Sequence, residues 1–327
     1  MADDLYPLLF TPVYRDYIWG GHRILRRYRR TDAPALDRYA ESWEIADRPR
    51  GMSVVRNGPL AGQTLRRLMR SRPGDIVGRS SKARRFPLLI KIIDARERLS
   101  VQVHPDNRSA ARHGGEAKTE MWVVLDARRG ARIFAGLKPG TRSSALIAAI
   151  RQKDNARVES LIRHVAAVKG EVIYVPGGRV HAVGEGCLLL EIQQNSDTTY
   201  RVCDWGRVGP DGKPRPLHVR EALRAIRWND FASARVPPRA PVRNTTPVLR
   251  TPYFRVDRID LGREQRFRHD GRSFQALFVV RGRIRVAAGT AAETIGPGTS
   301  CLIPAALRRY ILTPIGPGAE VIRTSLV

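Results

Sequence analysis

Short strand-like segments separated by glycine and proline turns make up most of this 327-residue chain, and they limit the folds that it can adopt. Some segments are continuously apolar and others alternate between apolar and polar residues, which predicts buried and half-buried strands respectively. The clearest are residues 86–94, 99–104, 120–125, 171–176 and 187–193. Many short strands joined by tight turns are typical of an all-β sandwich or barrel. The sequence therefore predicts a mainly β protein.

The two halves of the chain show a similar pattern. The run KGEVIYVPGG at 169–178 resembles GPGTSCLIPA at 296–305, so each half is expected to form a small β-barrel. Residues 233–250 are rich in proline and arginine and have little periodicity, which is typical of a linker. We therefore predict one domain over residues 1–240 and a second over residues 241–327.

A segment within the first domain has a different character. Helical spacing occurs twice between residues 138 and 168. Ser143 or Ser144 is a suitable N-cap for the first helix, and a break follows near Asp154 and Asn155. We predict a small two-helix insertion at about 138–168.

The chain lacks the features of an exported or membrane-bound protein. No apolar run reaches the ~20 residues of a membrane span, and the acidic N-terminus lacks the basic and apolar regions of a signal peptide. The cysteines Cys187, Cys203 and Cys301 are scattered and form no CxxC pair. We therefore expect a soluble, cytoplasmic protein without a membrane partner. No coiled-coil pattern or apolar stripe indicates an oligomer, so we expect a monomer.

The formal net charge of +27 invites a nucleic-acid-binding interpretation. However, 51 of the 58 basic residues are arginine, and they are spread along the whole chain rather than concentrated in blocks. No helix-turn-helix, zinc-finger or aromatic RNA-binding motif accompanies them. We interpret the charge as a compositional bias and expect no specific nucleic-acid partner, although a basic surface raises encounter rates with anionic small molecules. Salt-dependent nucleic-acid binding is the alternative that the charge alone supports.

Four polar residues in strand or turn contexts could hold a metal ion. Gln102 and His104 share one face of an alternating segment. Glu120 opens the next strand, and His181 follows a Pro-Gly-Gly turn. Two imidazoles, a carboxylate and an amide oxygen suit a divalent metal of the zinc class with an open position for water, and strands of one barrel can direct all four inward. From spacing alone, a metal site and four isolated polar residues are about equally good explanations.

The residues around these four show a family resemblance. The stretches PLLIKIIDARERLSVQVHPDN at 87–107, KTEMWVVLDA at 118–127 and the long block at 175–207 resemble the type I mannose-6-phosphate isomerases, also called phosphomannose isomerases. The motifs WGG at 19–21 and ESWE at 41–44 are similar to the same family. The part of the long block that reads QQNSDTTYR is the most specific. The resemblance runs in order to about residue 230, whereas the C-terminal part matches only in strand pattern.

This resemblance implies two cupin-type, jelly-roll β-barrels with a small helical insertion. It also implies a zinc-dependent aldose–ketose isomerase that interconverts mannose 6-phosphate and fructose 6-phosphate, with the phosphosugar as its partner. His181 follows Glu120 by only 61 positions, so the large helical domain of longer family members is absent and the chain resembles the short bacterial form. His269 is the only histidine in residues 241–327, which are expected to form a metal-free cupin-like domain.

The resemblance also assigns roles to single residues. The metal ligands would be Gln102, His104, Glu120 and His181, and they would hold one Zn2+ per chain. Arg201 falls on the family's catalytic arginine. Residues 1–240 would therefore form the catalytic domain.

Aldose–ketose isomerisation requires ring opening, removal of the proton at C2 and stabilisation of an enediolate. Zinc can polarise the carbonyl and stabilise the oxyanion, and Arg201 can hydrogen-bond the same oxygens because a guanidinium stays protonated. For the same reason arginine is a poor base. The base could be a metal-bound hydroxide, Lys118 or Lys91, and either lysine would need a lowered pKa. The sequence leaves this choice open.

Four residues are candidates for substrate binding. Lys91 and Ser100 could contact the phosphate, while Glu44 and Trp19 could line the sugar pocket. Trp19 could equally be a core aromatic residue. Two other functions could use the same site, namely isomerisation of another phosphosugar and non-catalytic binding of a sugar phosphate. The second is disfavoured because a binding protein could lose the ligands and Arg201 freely.

Overall fold

The computed structural model describes residues 5–79, 81–209, 211–289 and 291–327. Most of the regular secondary structure in these residues is β-strand, which confirms the predicted fold class. The strands are β1 (Leu8–Thr11), β2 (Val13–Arg15), β3 (Glu41–Ile45), β4 (Asp47–Arg48), β5 (Gly51–Met52), β6 (Val54–Val55), β7 (Leu88–Ala95), β8 (Val101–Val103), β9 (Glu120–Ala127), β10 (Arg132–Leu137), β11 (Ile162–Ala166), β12 (Val172–Val175), β13 (His181–Val183), β14 (Cys187–Gln194), β15 (Tyr200–Cys203), β16 (Thr245–Arg250), β17 (Arg255–Leu261), β18 (Gln265–Arg268), β19 (Gln275–Ala288), β20 (Ala291–Ile295), β21 (Ser300–Ile303) and β22 (Arg309–Ser325).

Short helices connect some of these strands. In the described part of the chain they are α1 (Arg23–Tyr28), α2 (Leu65–Ser71), α3 (Pro73–Val77), α4 (Asn107–His113), α5 (Ser143–Arg151), α6 (Asn155–Leu161) and α7 (Val219–Ala225). Among the described residues, no helix combines the length and the apolar character needed to span a membrane.

Helices α5 and α6 form the predicted two-helix insertion, with two differences in detail. The Asp154 side chain caps α6 by accepting a hydrogen bond from the Arg157 N–H at 2.9 Å. However, Arg142 rather than a serine occupies the N-cap position of α5. The insertion also ends earlier than residue 168, because residues 162–166 alternate in exposure and pair with β10 as strand β11.

The chain forms two compact units. The terminal unit contains Met1–Val13, Trp43–Leu89 and Pro237–Val327, and the central unit contains Tyr14–Ser42 and Ile90–Val236. Thus residues 43–89 belong with the C-terminal part of the chain, where β6 pairs with β1 and β1 pairs with β21. The predicted domains, 1–240 and 241–327, are separated by a single boundary and therefore differ from these two units. That division stays a prediction.

Two antiparallel sheets lie mainly in the central unit. One has six strands in the order β12-β9-β14-β7-β3-β2, and the other has five in the order β11-β10-β13-β8-β15. Their inner faces meet in an apolar core that includes Trp122 and Leu189 from the first sheet and Ile133 and Val183 from the second. This arrangement is compatible with a jelly roll. In the described residues neither of these two sheets closes on itself, so the central unit is an open sandwich of two sheets.

The five-stranded sheet is covered on both faces. Val101 and Val103 on β8 pack with residues of the helices, such as Ile150 of α5, Val158 of α6 and Ala222 of α7. Because side chains alternate along a strand, the residue between the two valines faces the other way, toward the six-stranded sheet. The local pattern of β8 therefore places Gln102 in the interior of the sandwich.

The terminal unit is built on a nine-stranded sheet. Its main path runs β16-β17-β22-β19-β21-β1-β6, with β18 paired to β22 and β20 paired to β19. The interior is apolar and includes Leu9, Ile259, Val286, Leu312 and Val321, all of which are buried.

Candidate functional site

Three adjacent strands of the five-stranded sheet place polar residues in one row. Gln102 on β8 lies directly opposite His181 on β13 and directly opposite Arg201 on β15. Residues that face each other across antiparallel strands project from the same side of the sheet. The three side chains therefore project from the inner face of the sandwich.

The six-stranded sheet supplies a carboxylate to the same interior. Glu120 is the first residue of β9, and its Oε1 lies 3.3 Å from His181 Nε2 while its Oε2 lies 3.5 Å from His104 Nε2. The two imidazole ring centres are 4.7 Å apart. Ligand atoms of the three residues all lie within 4.8 Å of one another, and all three residues are buried. In the described part of the chain this group could hold a metal ion.

Main-chain carbonyls orient both imidazoles. His104 Nδ1 lies 2.8 Å from the Thr198 carbonyl oxygen, and His181 Nδ1 lies 2.8 Å from that of Arg179. A carbonyl only accepts hydrogen bonds, so each Nδ1 carries the proton in the neutral ring. Each Nε2 therefore directs a lone pair inward, as in histidines that ligate metals.

Burial keeps these histidines uncharged. It is the main cause that lowers the pKa of His104 to about 3, and Lys118 acts in the same direction. Burial also lowers the pKa of His181, although Glu120 opposes the shift. Metal binding requires deprotonated ligands, so the histidines are ready to bind a cation at neutral pH.

The donor set fits a divalent cation. The imidazole Nε2 atoms and the Glu120 oxygens all carry lone pairs and face one another at 3.3–3.5 Å. Both carboxylate oxygens are buried; Oε1 has no hydrogen-bond partner among the described residues, whereas Oε2 lies 2.7 Å from the Lys118 ammonium nitrogen. A cation between these atoms would satisfy all of them, and nitrogen and oxygen donors of this kind suit zinc.

Gln102 lies beside this group. Its Nε2 is 3.2 Å from His181 Nε2, and its Oε1 accepts a hydrogen bond from the Ser100 hydroxyl at 3.3 Å. A half-turn of the amide would direct the oxygen toward His181 and provide the fourth predicted ligand atom. Ser100 is itself buried and projects from the same face of the strand as Gln102.

Lys118 contacts two of the three grouped residues. Its Nζ lies 3.0 Å from His104 Nε2 and 2.7 Å from Glu120 Oε2. Burial is the largest cause that lowers the pKa of Lys118, and Glu120 opposes it. For Glu120, burial alone would raise the pKa, but the nearby Lys118 ammonium outweighs it and holds the pKa well below its usual range. The lysine can therefore lose its proton more readily than an exposed one, while the glutamate stays ionised.

Comparisons with known proteins agree with this geometry. A family model described as the catalytic domain of type I phosphomannose isomerase matches residues 8–125, and one described as the cupin domain of mannose-6-phosphate isomerase matches residues 244–322. The mannose-6-phosphate isomerase ManA of Bacillus subtilis is 34% identical over 313 residues, which cover 94% of this chain and 95% of that protein. The chain belongs to the type I phosphomannose isomerase family.

Two further comparisons support this membership. The mannose-6-phosphate isomerase of Streptococcus mutans is 33% identical over 93% of this chain and 94% of that protein. The crystal structure of the Bacillus subtilis mannose 6-phosphate isomerase has a TM-score of 0.86 at 29% identity, covering 98% of this chain and 99% of that chain. These comparisons confirm the predicted resemblance to the type I phosphomannose isomerases. They also confirm the cupin fold and the class of enzyme, an aldose–ketose isomerase.

A second buried group of charges in this phosphomannose isomerase fold was not predicted in full. Lys91 Nζ lies 3.0 Å from Glu41 Oε1 and 2.7 Å from Glu191 Oε2. Trp122 Nε1 donates a hydrogen bond to Glu191 Oε1 at 2.7 Å. Lys91 was predicted as a site residue, whereas Glu41 was noted only as part of the ESWE motif and Glu191 was missed. The available signal was a lone lysine in one apolar strand and a lone glutamate, Glu191, in another, since two buried charges of opposite sign favour pairing.

Arg201 lies at the edge of the five-stranded sheet. One guanidinium nitrogen donates to the Pro216 carbonyl oxygen at 2.9 Å, whereas Nε is buried and has no hydrogen-bond partner among the described residues. Burial, and after it the nearby Arg215, lowers the pKa of Arg201. The group remains a cation at neutral pH because an arginine pKa starts far above that range.

The two remaining substrate-binding candidates occupy different environments. Trp19 is 4% exposed and packs among apolar side chains of the central unit such as Ile93 and Leu99. This environment favours the alternative prediction, that Trp19 is a core aromatic residue, over a role in the sugar pocket. Glu44 is buried in β3 at a position assigned to the terminal unit, and its role in sugar binding stays a prediction.

Proposed function

We propose that the chain interconverts D-mannose 6-phosphate and D-fructose 6-phosphate, that it uses zinc and that the reaction passes through an enediol or enediolate. The observation that supports this most is the buried group of His104, Glu120 and His181 in contact with Lys118, in a chain of the type I phosphomannose isomerase family. The substrate is inferred from the mannose-6-phosphate isomerases to which the chain is similar, and the chemistry is inferred from the buried group.

The zinc would be held by His104, Glu120 and His181, with Gln102 as a fourth ligand. When bound there, zinc would polarise the sugar carbonyl and stabilise negative charge on oxygen. The choice of zinc rests on the mixed nitrogen and oxygen donors, which also suit other divalent transition metals.

Lys118 is our candidate for proton transfer between C2 and C1. Its lowered pKa makes the free amine accessible, and its position beside the ligands would place Nζ close to a carbonyl held at the centre. The free amine would remove the proton from C2 of the open-chain aldose, the hydroxyl proton would pass from O2 to O1 of the enediolate, and the resulting ammonium would return a proton to C1. Lys91 is less suitable as the base because two carboxylates already contact its ammonium.

Three other residues would bind the substrate without exchanging protons. Arg201 would donate hydrogen bonds to sugar oxygens and favour their negative charge as it develops. Ser100 and Lys91 would bind polar groups of the sugar phosphate. For Lys91 a sugar hydroxyl is the more suitable partner, because Glu41 and Glu191 beside it would repel a phosphate.

A cytoplasmic location and a monomeric state are parts of the same proposal. The three cysteines are free and buried, which is consistent with a reducing compartment. Size-exclusion chromatography with light scattering would test the monomer, since a mass of about twice the 36.7 kDa of the chain would contradict it.

The experiment that tests the proposal measures fructose 6-phosphate formation from mannose 6-phosphate. The samples are the native protein, the chelator-stripped protein, the stripped protein with zinc restored, and His104→Ala. His164→Ala is the matched control, because His164 is an exposed histidine of β11 in the same unit. We expect activity to disappear on stripping, to return with zinc, to be absent in His104→Ala and to persist in His164→Ala. Bound zinc without turnover would favour another phosphosugar or a binding function.

A further inference from the structure

The carbonyl that orients His181 belongs to a residue whose own side chain is anchored by a buried ion pair. Arg179 is 4% exposed and Asp230 is 7% exposed. The guanidinium donates to both oxygens of the Asp230 carboxylate, at 2.7 and 2.6 Å, and also to the Tyr174 carbonyl at 2.9 Å. Two parallel bonds to one carboxylate fix the position and the rotation of a guanidinium. The main chain of Arg179, which accepts the His181 Nδ1 hydrogen, is therefore held close to one position.

The turn that carries Arg179 also contacts the second histidine. The Gly178 N–H donates to the His104 carbonyl at 2.7 Å. A Cβ atom at Gly177 would lie only 2.6 Å from the Asp106 Cα, so the turn fits closely against the segment that follows His104. A displacement of this turn would change the ring orientation of His181 and the backbone position of His104 together.

Asp230 is itself fixed to the sheet. Its carbonyl oxygen accepts a hydrogen bond from the Leu137 N–H, at the end of β10, at 2.9 Å. Asp230 is thus held at its main chain by β10 and at its carboxylate by Arg179.

We propose that Asp230, acting through Arg179, is a positioning residue for the metal centre. It fixes the orientation of the His181 imidazole although it is not a ligand. Without the carboxylate, the buried guanidinium would lack its counterion and would move toward other acceptors, taking the turn with it. This inference rests on the proposed role of His181 as a metal ligand.

The test compares Asp230→Asn with a matched variant of another buried pair. Asp230→Asn keeps the shape of the side chain but removes the charge and one of the two acceptor oxygens. Asp257→Asn is the control, because Asp257 is 4% exposed, lies 2.7 Å from Arg323 and belongs to the terminal unit. Zinc affinity of the stripped proteins is measured by competition with a chromophoric chelator. The visible spectrum of the cobalt-loaded proteins reports ligand geometry.

We expect Asp230→Asn to bind zinc about 10- to 100-fold more weakly and to change the cobalt spectrum. At saturating zinc, we expect kcat to fall while the KM for the sugar stays constant. Asp257→Asn should lose stability but keep the zinc affinity and cobalt spectrum of the wild type. If Asp230→Asn does not fold, Asp230→Glu keeps the charge, displaces the guanidinium and is judged by the same measurements.

Two results would overturn the proposal, and they are distinguishable. Wild-type zinc affinity and an unchanged cobalt spectrum in the folded Asp230 variant would overturn the positioning role alone. Failure of the wild-type protein to bind zinc would overturn the proposed metal function and this inference with it. Equal weakening in the Asp230 and Asp257 variants would assign the effect to general loss of stability and would also overturn the positioning role.

Discussion

The interiors of the two units are built from similar antiparallel sheets but contain different chemistry. The core of the terminal unit is a cluster of apolar side chains such as Ile259, Leu277 and Leu312. The central unit has apolar clusters as well, but it also encloses the charged groups around Glu120 and Lys91. Both lysines that were singled out from the sequence are among the buried residues of the central unit.

This difference distinguishes side chains that are buried to stabilise the fold from side chains that are buried for a chemical function. Burial of an ion is unfavourable even when it is paired, and an apolar replacement of similar volume is often as stable or more stable. The charges of the central unit are therefore poor evidence for stability and good evidence for function. The terminal unit also buries carboxylates, such as Asp257 and Asp47, but each of these is paired with an arginine, Arg323 and Arg66 respectively.

The largest expected effect comes from removing the buried amine of the central unit. We expect Lys118→Met to lower kcat by about 100- to 10,000-fold, because the proposed proton transfer is lost. Zinc affinity should increase, because the Lys118 ammonium contacts His104 Nε2 and Glu120 Oε2 and competes with a cation for them. Steady-state kinetics and a zinc competition titration measure the two effects. Lys138→Met, at an exposed lysine, is the control. Retention of more than about a tenth of the wild-type kcat would assign the proton transfer to another group.

Shortening an apolar side chain in the interior of the terminal unit should lower stability without affecting the metal site. Leu312→Ala in the terminal unit is expected to lower the free energy of unfolding by about 2–5 kcal/mol, because it removes buried methyl groups and leaves a cavity. Zinc affinity should not change. Urea unfolding and a zinc titration of the same variant provide the measurements. A loss of zinc affinity in the folded variant would mean that the two interiors are not separable in this way.

The zinc-free protein should also lose stability as the pH falls. The pKa of His104 is about 3 in the folded protein, mainly because of burial, and 6.5 is the ordinary value expected in the unfolded chain. Between these values the unfolded chain binds more protons. The contribution is therefore fully present above pH 6.5 and decreases at lower pH by up to about 1.4 kcal/mol per pH unit. Urea unfolding at several pH values should show a shallower dependence for His104→Gln. Equal slopes in the two proteins would show that His104 is not held neutral.

The smallest expected effect concerns two of the three buried thiols, Cys187 in the central unit and Cys301 in the terminal unit. Burial raises the pKa of Cys187 in the central unit to about 12 and also raises the pKa of Cys301 in the terminal unit. Neither thiol should react with a disulfide reagent at pH 8 in the native protein, and both should react in urea. Faster reaction at Cys301 than at Cys187 would show that the terminal unit opens more readily. The variants Cys187→Ala and Cys301→Ala, each made with Cys203→Ala, assign the signal to each position.

Local periodicity was sufficient to predict much of the fold. The strict alternation at 99–104 predicted the strand that places Gln102 inward, and the helical spacing at about 138–168 predicted α5 and α6. The four predicted metal ligands lie close together in the structure, and their ligand roles stay a prediction. From spacing alone, a metal site and four isolated polar residues were about equally good explanations, and the resemblance to the type I mannose-6-phosphate isomerases supplied the ligand assignment.

Other parts of the site depend on contacts that carry no local signal. Glu41 and Glu191 meet Lys91 from strands distant in sequence, and only the sheet order determines that meeting. The groups that orient the two histidines are main-chain carbonyls of Arg179 and Thr198, and a carbonyl is present at every position of a chain. The grouping of residues 43–89 with the C-terminal part likewise follows from strand pairing and not from composition.

The most direct test of the central claim is a zinc titration of the stripped protein with mannose 6-phosphate turnover recorded at each addition. Wild-type activity should rise in proportion to added zinc and stop increasing at one zinc per chain. Glu120→Gln should stay inactive throughout, because it removes a charged ligand from the proposed centre. Full activity of the stripped wild-type protein without added metal, or a titration of Glu120→Gln that matches the wild type, would contradict the assignment of the reaction to this site.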